Sequence, residues 1–423
     1  MGLRSSIKRN SFVINHQKKR RVVVTGLGIA SSIGTSLTVF KQNLFNGVCG
    51  IGPVTLFDTS GYTGSPGAQI PDAALQAAFS PRELTRCSRC DLLGLLAAKE
   101  LLVDSEEVFR DCPREKIGVI MGGGAGGMLT WERHRRPLWL GKKSRPAALL
   151  SAACGTLADR FANTYGLGGL RTTIATACSS SATAIGYGFD LIRSGSQEMV
   201  LAAGSEAFSE LTFSGFNSLR VVDPEYCKPF DKNRQGLSLG EGAAILILEE
   251  YERAVRHGKT LYAEVLGYAV NSDAYHMTAP HPEGAGMMKV MERALKNAEI
   301  APEAVDYINA HGTATKANDQ AETLAIKRLF GEHKARRLAV SSTKSMVGHC
   351  LGAAGIVEGL ATVLALAGQK APPTIHYQTP DPACDLDYVP NQARSLNMQI
   401  ALSNSFAFGG NNTSVVFRRV EKS

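Results

Sequence analysis

Four short stretches of the 423-residue chain carry side chains able to act together in covalent and acid–base chemistry. In "TTIATACSSSATAIGYGFDLIRSG" (172–195) a β-branched strand pattern gives way to a helical one, and Cys178 stands at the change. A thiol at a helix N-terminus faces unpaired backbone N–H groups and the positive end of the helix dipole, and both favour the thiolate. Thiolate attacks acyl thioesters, and an acyl-enzyme divides one difficult transfer into two easier ones. "NAHGTATKANDQAE" places His311 just past an apolar strand, "SSTKSMVGHCLGAAG" places Lys344 and His349 around a strand-to-helix turn, and "SNSFAFGGNNTS" supplies a glycine-rich loop. A single His after a strand is most often structural. The four stretches carry weight as a set.

Elements of α/β type must hold these residues. Strand patterns occur at 20–28, 116–124, 172–177, 198–206 and 242–250, then at 262–270, 305–312 and 337–344, with a closing pair "QIALSNSFAFG" and "TSVVFRRV". Helical segments lie between them, the alternation that defines α/β architecture. Runs that are apolar on every side indicate strands covered on both faces, so helices are expected both outside and between the sheets. With 44% apolar and 20% charged residues, the chain can build a large core or two. The best boundary is "YERAVRHGKT" at 251–260, and no internal sequence repeat is evident. The most apolar helix, "LGAAGIVEGLATVLALAG" at 351–368, contains Glu358 and many small residues. That suits burial between sheets better than a membrane span.

The formal charge of +8 suggests nucleic acid or membrane until it is mapped along the chain. Residues 1–21 hold seven of the 46 Lys and Arg and none of the 38 Asp and Glu, so the remainder is close to neutral. This segment reads as a solvated basic arm, and neither a nucleic-acid surface nor a membrane span is expected. Nine scattered cysteines, an odd number, fit a reducing, cytoplasmic setting. Cys87 and Cys90 form a CxxC, but no second pair follows at metal-binding spacing, so no metal site is expected. "GGGAGG" at 122–127 matches a dinucleotide fingerprint without the second strand and acid that a ribose requires. "SSTK" at 341–344 resembles a β-lactamase motif whose companion motifs are missing.

In this order, and with "KPFDKNRQGLSLGEGA" (228–243) and "NSDAYHMTAPHPEG" (271–284), the stretches resemble the β-ketoacyl-acyl-carrier-protein synthases, especially the elongating type II enzymes of bacterial fatty-acid synthesis. The resemblance runs from about residue 20 to 420. It implies a thiolase-like, five-layered αβαβα fold of two similar halves: an arm (1–19), a half with the nucleophilic cysteine (20–258) and a half with two histidines and a lysine (259–423). It implies an acyltransferase that joins an acyl group on Cys178 to malonyl-acyl-carrier protein by decarboxylative condensation. Backbone N–H groups of Cys178 and Phe408 would form the oxyanion hole. His311 and His349 would act as two neutral donors to the malonyl thioester, His349 being kept neutral by the dipole of the helix it begins. Lys344 would orient the site and pair with Glu322, while Thr313 and Thr315 would hydrogen-bond the phosphopantetheine arm of the carrier protein. Ala125 aligns with a bulky position beside the acyl tunnel, and its small side chain implies a roomier one.

No cofactor bound by the chain itself is expected. The implied partners are acyl carrier protein and a second copy of the chain, with a chain-length factor as the alternative to the second copy. Ala314, Lys316, Ala407 and Asn411 depart from the usual type II pattern. They leave open a ketosynthase of a polyketide or aryl-polyene pathway. A CoA-dependent thiolase would need a second cysteine near "SNSFAFGGNN", where none occurs, and a non-catalytic carrier-binding subunit would not need the intact Cys/His/His/Lys set. Removing residues 1–19 should leave the condensation rate unchanged in an assay of ketoacyl product, since the first strand begins near Arg20. A fall in rate, or in the yield of folded dimer, would show that the arm packs.

Overall fold

The computed structural model describes residues 19–103, 105–144 and 146–420. The basic arm therefore lies outside the described residues except for Lys19, which forms an exposed ion pair with Glu299 at 2.7 Å.

Ten strands form one hydrogen-bonded ladder. In chain order they are β1 (Val22–Ser31), β2 (Ile117–Gly122), β3 (Arg171–Ile174), β4 (Met199–Glu206), β5 (Gly242–Glu250), β6 (Ala263–Ser272), β7 (Tyr307–Asn309), β8 (Ala339–Ser341), β9 (Ile400–Phe406) and β10 (Asn411–Arg418). Their spatial order is β8-β7-β9-β10-β6-β1-β5-β4-β2-β3. Read inward from its own edge, each half runs third, second, fourth, fifth, first. In each half the second strand is parallel to the third and fourth, while the remaining neighbours are antiparallel. One topology is thus built twice, although no repeat is visible in the residues. The halves join where Val22–Val24 pairs with Ala263–Val265. Beside that seam Glu264 accepts from Arg21 at 2.8 and 2.9 Å and from Arg418 at 2.5 Å.

Two helices fill the space between the halves: α3 (Ser180–Arg193) and α6 (Ala354–Gly368), which pack on each other and on strands of both halves. Outside the first half lie α1 (Arg89–Leu101) and α2 (Thr156–Tyr165); outside the second lie α4 (Ala285–Ala298) and α5 (Lys316–Phe330). The result is the five-layered αβαβα arrangement. Strand β5 shows why such sequences are apolar throughout. Ala244, Leu246 and Leu248 enter the central core, while Ala243, Ile245 and Ile247 enter the outer core under α1. Alternate side chains point to opposite faces, and both faces are covered. The span Leu351–Gly368 is long and apolar enough to cross a membrane by composition, yet it is 83% buried in this core.

Glycines let the layers close around the start of α3. A Cβ on Gly122, at the end of β2, would stand 2.3 Å from Ser181 Cα; one on Gly204 in β4 would stand 2.7 Å from Ser181 Cβ. One on Gly355 in α6 would stand 2.6 Å from the backbone N of Ala182. Gly122→Ala should therefore destabilise the fold by about 1–3 kcal/mol, as overpacking does. A thermal melt would register this as a lower midpoint, and an unchanged midpoint would show that the start of α3 can yield.

Candidate active site

Cys178 lies in the single turn Ala177–Ser179 that leads from β3 to α3, and Ala177 is held at φ 52°, a left-handed conformation costly for a residue with a Cβ. The turn aims the thiol inward, where it is only 6% exposed. The expectation of a resting thiolate is not met. Burial pushes the Cys178 thiol up to about 12, against the opposing pull of Lys344 and of the Phe408 backbone N–H that reaches the sulfur. Loss of water outweighs the helix terminus here. The resting group is a neutral thiol that needs a proton acceptor, and His349 Nε2 is 3.1 Å from its sulfur.

His311 follows β7 and His349 follows β8, both buried, with their rings 5.3 Å apart at 84°. Lys344 Nζ donates to the carbonyl of His311 at 2.6 Å and to its Nδ1 at 3.3 Å. An ammonium has no acceptor, so Nδ1 must accept and the His311 proton sits on Nε2. Among the described residues His349 Nδ1 has no hydrogen-bond partner, which leaves this ring free to adopt either tautomer. Burial, and then the charge of Lys344, holds both imidazoles well below the ordinary histidine value. The helix dipole is not the cause for His349, because α6 begins only at Ala354 after a short turn at Leu351–Ala353.

Lys344 pairs with Glu358, not Glu322. Glu322 accepts the backbone N–H groups of His311 at 2.9 Å and Gly312 at 2.8 Å, so its oxygens are occupied in holding the strand end that carries His311. Burial raises Glu322 to about 7, and it raises Glu358 against the pull of Lys344. Glu358 is the acid that sequence reasoning did not place in the site. Its signal was visible: it is the lone charge in α6, where residues 354–366 are all buried. An unpaired carboxylate cannot remain there, so a cation had to meet it.

Cys178, His311 and His349 open into one cavity of about 250 Å³, with Thr313, Thr315 and Phe408 also on its walls. The two threonine hydroxyls are 2.9 Å apart, and Thr315 also caps α5. Phe408 stacks on Phe216 with centroids 5.6 Å apart, and its loop turns through Gly409 and Gly410 at φ 78° and 72°. Phe216, Asp273 and Asn412 line the cavity without having been singled out by the sequence. Ala125 does not border it. Its backbone N–H donates to Glu206 at 2.9 Å.

Comparison with known proteins gives a consistent picture. The family profile described as "Beta-ketoacyl synthase, N-terminal domain" matches residues 19–254, and "Beta-ketoacyl synthase, C-terminal domain" matches 262–378. A Synechocystis protein named 3-oxoacyl-[acyl-carrier-protein] synthase 2 is 42% identical, over 96% of this chain and 99% of its own. Among solved structures, the ishigamide ketosynthase/chain length factor is 34% identical with a TM-score of 0.88, covering 95% of this chain and all of that one. A type II PKS acyl-carrier protein in complex with its ketosynthase bound to the hexaketide gives 33% and 0.86, covering 96% and 100%.

The raised thiol has a measurable consequence. Alkylation of Cys178 by iodoacetamide, followed by mass spectrometry, should keep accelerating through the neutral and mildly alkaline range. Levelling off near neutrality would show a resting thiolate. Replacing His349 by Ala should slow the reaction, because Nε2 is the proton acceptor in reach of the sulfur.

Proposed function

The chain belongs to the β-ketoacyl synthase family, and we infer that it elongates fatty acyl chains by decarboxylative condensation with malonyl-acyl-carrier protein. The observation that carries this reading is the placement of a nucleophile, its proton acceptor and a second neutral imidazole on one cavity, with Cys178 Sγ 3.1 Å from His349 Nε2. The acyl thioester enters on the phosphopantetheine of its carrier, along a wall whose Thr313 and Thr315 hydroxyls can hydrogen-bond the arm. As Cys178 attacks the thioester carbon, its proton passes to His349 Nε2 and from there to the departing carrier thiol. The backbone N–H groups of Cys178 and Phe408 hold the oxyanion.

Malonyl-acyl-carrier protein then takes the place of the first carrier. Nε2–H of His311, fixed by Lys344, and Nε2–H of His349, allowed by its free Nδ1, donate to the malonyl thioester oxygen. Loss of carbon dioxide leaves an enolate on that oxygen, and its carbon attacks the acyl-cysteine carbonyl and expels Cys178 as a thiolate, which takes up one proton from solvent to return to the resting thiol. Neutral donors suit this step, because a charged imidazolium would hold the enolate too tightly to react onward. Each fixed donor contributes roughly 3–4 kcal/mol to such a transition state.

We propose a homodimer formed along the free edge of β3, which ends the ladder in the first half and is only partly covered. Nine unpaired cysteines support a reducing, cytoplasmic setting. A second reading, a polyketide or aryl-polyene ketosynthase paired with a chain-length factor, is favoured by the likeness to the ishigamide ketosynthase/chain length factor. The higher identity to the Synechocystis synthase, 42% against 34%, supports the fatty-acid role.

Three variants separate the steps. Cys178→Gln, whose amide mimics the acyl-cysteine carbonyl, should lose condensation and keep or raise malonyl decarboxylation, read as released labelled carbon dioxide. His311→Ala should lose most decarboxylation while mass spectrometry still finds Cys178 acylated. His349→Ala should lose both, and acylation at the normal rate in that variant would remove His349 as the thiol's proton acceptor.

A further inference from the structure

Glu206, the last residue of β4, is fully buried and has no part in the chemistry above. Its oxygens accept backbone N–H groups from two separate segments. Oε2 accepts from Gly124 at 2.8 Å and Gly352 at 3.2 Å, Oε1 accepts from Ala125 at 2.9 Å, and the N–H of Gly126 also reaches the carboxylate. Gly124 and Ala125 belong to the turn that leaves β2, directly after Gly122, which backs onto the first turn of the nucleophile's helix. Gly352 lies three residues beyond His349, in the turn that opens α6. The segments meet at the carboxylate so closely that a Cβ on Gly352 would stand 2.5 Å from Glu206 Oε2 and 2.6 Å from the backbone N of Gly124. His349 is tied from its other side as well, its N–H donating to Ser238 O at 2.7 Å.

A carboxylate is the smallest side-chain end that can accept on two oxygens and donate on neither. We propose that Glu206 is a positioning residue for condensation: by binding N–H groups of both segments, it sets the spacing between the turn behind the Cys178 helix and the segment that carries His349. Cys178 comes from the first half of the fold and His349 from the second. Their 3.1 Å contact therefore depends on a link between halves, and this carboxylate supplies one beside the site. The inference rests on the condensing-enzyme reading for its two catalytic readouts.

Glu206→Gln tests it, because an amide keeps the shape and loses one acceptor. With its oxygen at the position shared by Gly124 and Gly352, its NH₂ faces the N–H of Ala125. The turn behind α3 then loses its hold at Ala125 and keeps Gly124, while the His349 segment stays tied through Gly352. The variant should melt near the wild-type temperature and, with Cys178→Gln added, decarboxylate malonyl-acyl-carrier protein like the Cys178→Gln parent. Acylation of Cys178 in the single variant should fall at least about tenfold, as expected for displacement of a reacting group by a fraction of an ångström. Loss of both reactions by one common factor with a lowered melting midpoint would reduce Glu206 to a structural residue and overturn the proposal, as would unchanged rates of both. If Glu206→Gln does not fold, Glu206→Asp, which withdraws both oxygens by one methylene, should slow both reactions, and wild-type rates would overturn the idea. Iodoacetamide alkylation of Cys178 needs no substrate and keeps the two readings apart. If the wild-type protein neither acylates nor decarboxylates, the condensing reading falls, and an alkylation rate left unchanged by Glu206→Gln would then overturn the role of Glu206 by itself.

Discussion

An ammonium group buried at the centre of the molecule is the constraint around which the site is arranged. Lys344 is 1% exposed, and a charge so placed persists only if it is paired and fully hydrogen-bonded. Glu358 neutralises it from within α6, and the carbonyl and Nδ1 of His311 take its other donors. This one group therefore ties the central helix to the strand end of β7 and sets the His311 tautomer. It also lowers the proton affinity of both imidazoles and opposes, without reversing, the burial that raises the Cys178 thiol. Breaking such a pair from one side leaves an uncompensated buried charge, which costs about 3–5 kcal/mol.

Exclusion of water explains the remaining electrostatics. The same desolvation that keeps the histidines neutral keeps the thiol protonated, so the site rests as a set of uncharged donors and acceptors around one buried ion pair. Dipoles fixed in a dry site need little rearrangement when charge develops on the substrate, and this is the most effective form of transition-state stabilisation. A low-pKa thiolate is not required when a proton acceptor is already in contact with the sulfur.

The doubled topology explains how residues so far apart in the chain converge. Cys178 and His349 occupy equivalent connections, each leading from the third strand of its half to a central helix, α3 or α6. His311 follows β7 as the turn at Gly123–Gly127 follows β2, so equivalent turns carry an imidazole in one half and backbone N–H groups in the other. Functional groups in α/β sheets gather beyond the carboxyl ends of parallel strands. Here the ends of β3, β7 and β8 bring Cys178, His311 and His349 onto one cavity. Close approach of the layers requires glycine at Gly122, Gly204 and Gly355, where a Cβ would strike the first turn of α3.

Much of this was legible before any coordinates. All ten strands of the ladder lie within or beside the segments expected from residue pattern, because strands covered on both faces leave unbroken apolar runs such as "GAAILILEE". Cys178 stood out at the change from strand to helix, whereas His311, His349 and Phe408 were singled out by the resemblance that the four stretches carry together. What the sequence could not decide was every property that depends on distant neighbours. The resemblance made Glu322 the partner of Lys344, yet Glu322 is consumed by the N–H groups of the strand end that follows β7, and the pairing acid comes from a helix in another layer. The helix terminus beside Cys178 was visible, but the burial that outweighs it arises only when two halves close over the sulfur. The resemblance placed Ala125 beside an acyl tunnel, whereas it is not among the residues that border the cavity of Cys178, and Glu206, which accepts its backbone N–H, attracted no notice as the end of an ordinary strand. Sequence determines elements and the residues at their ends, because those follow from periodicity and backbone preference. Protonation states, ion-pair partners and wall positions follow from desolvation and packing, which exist only once the layers have assembled.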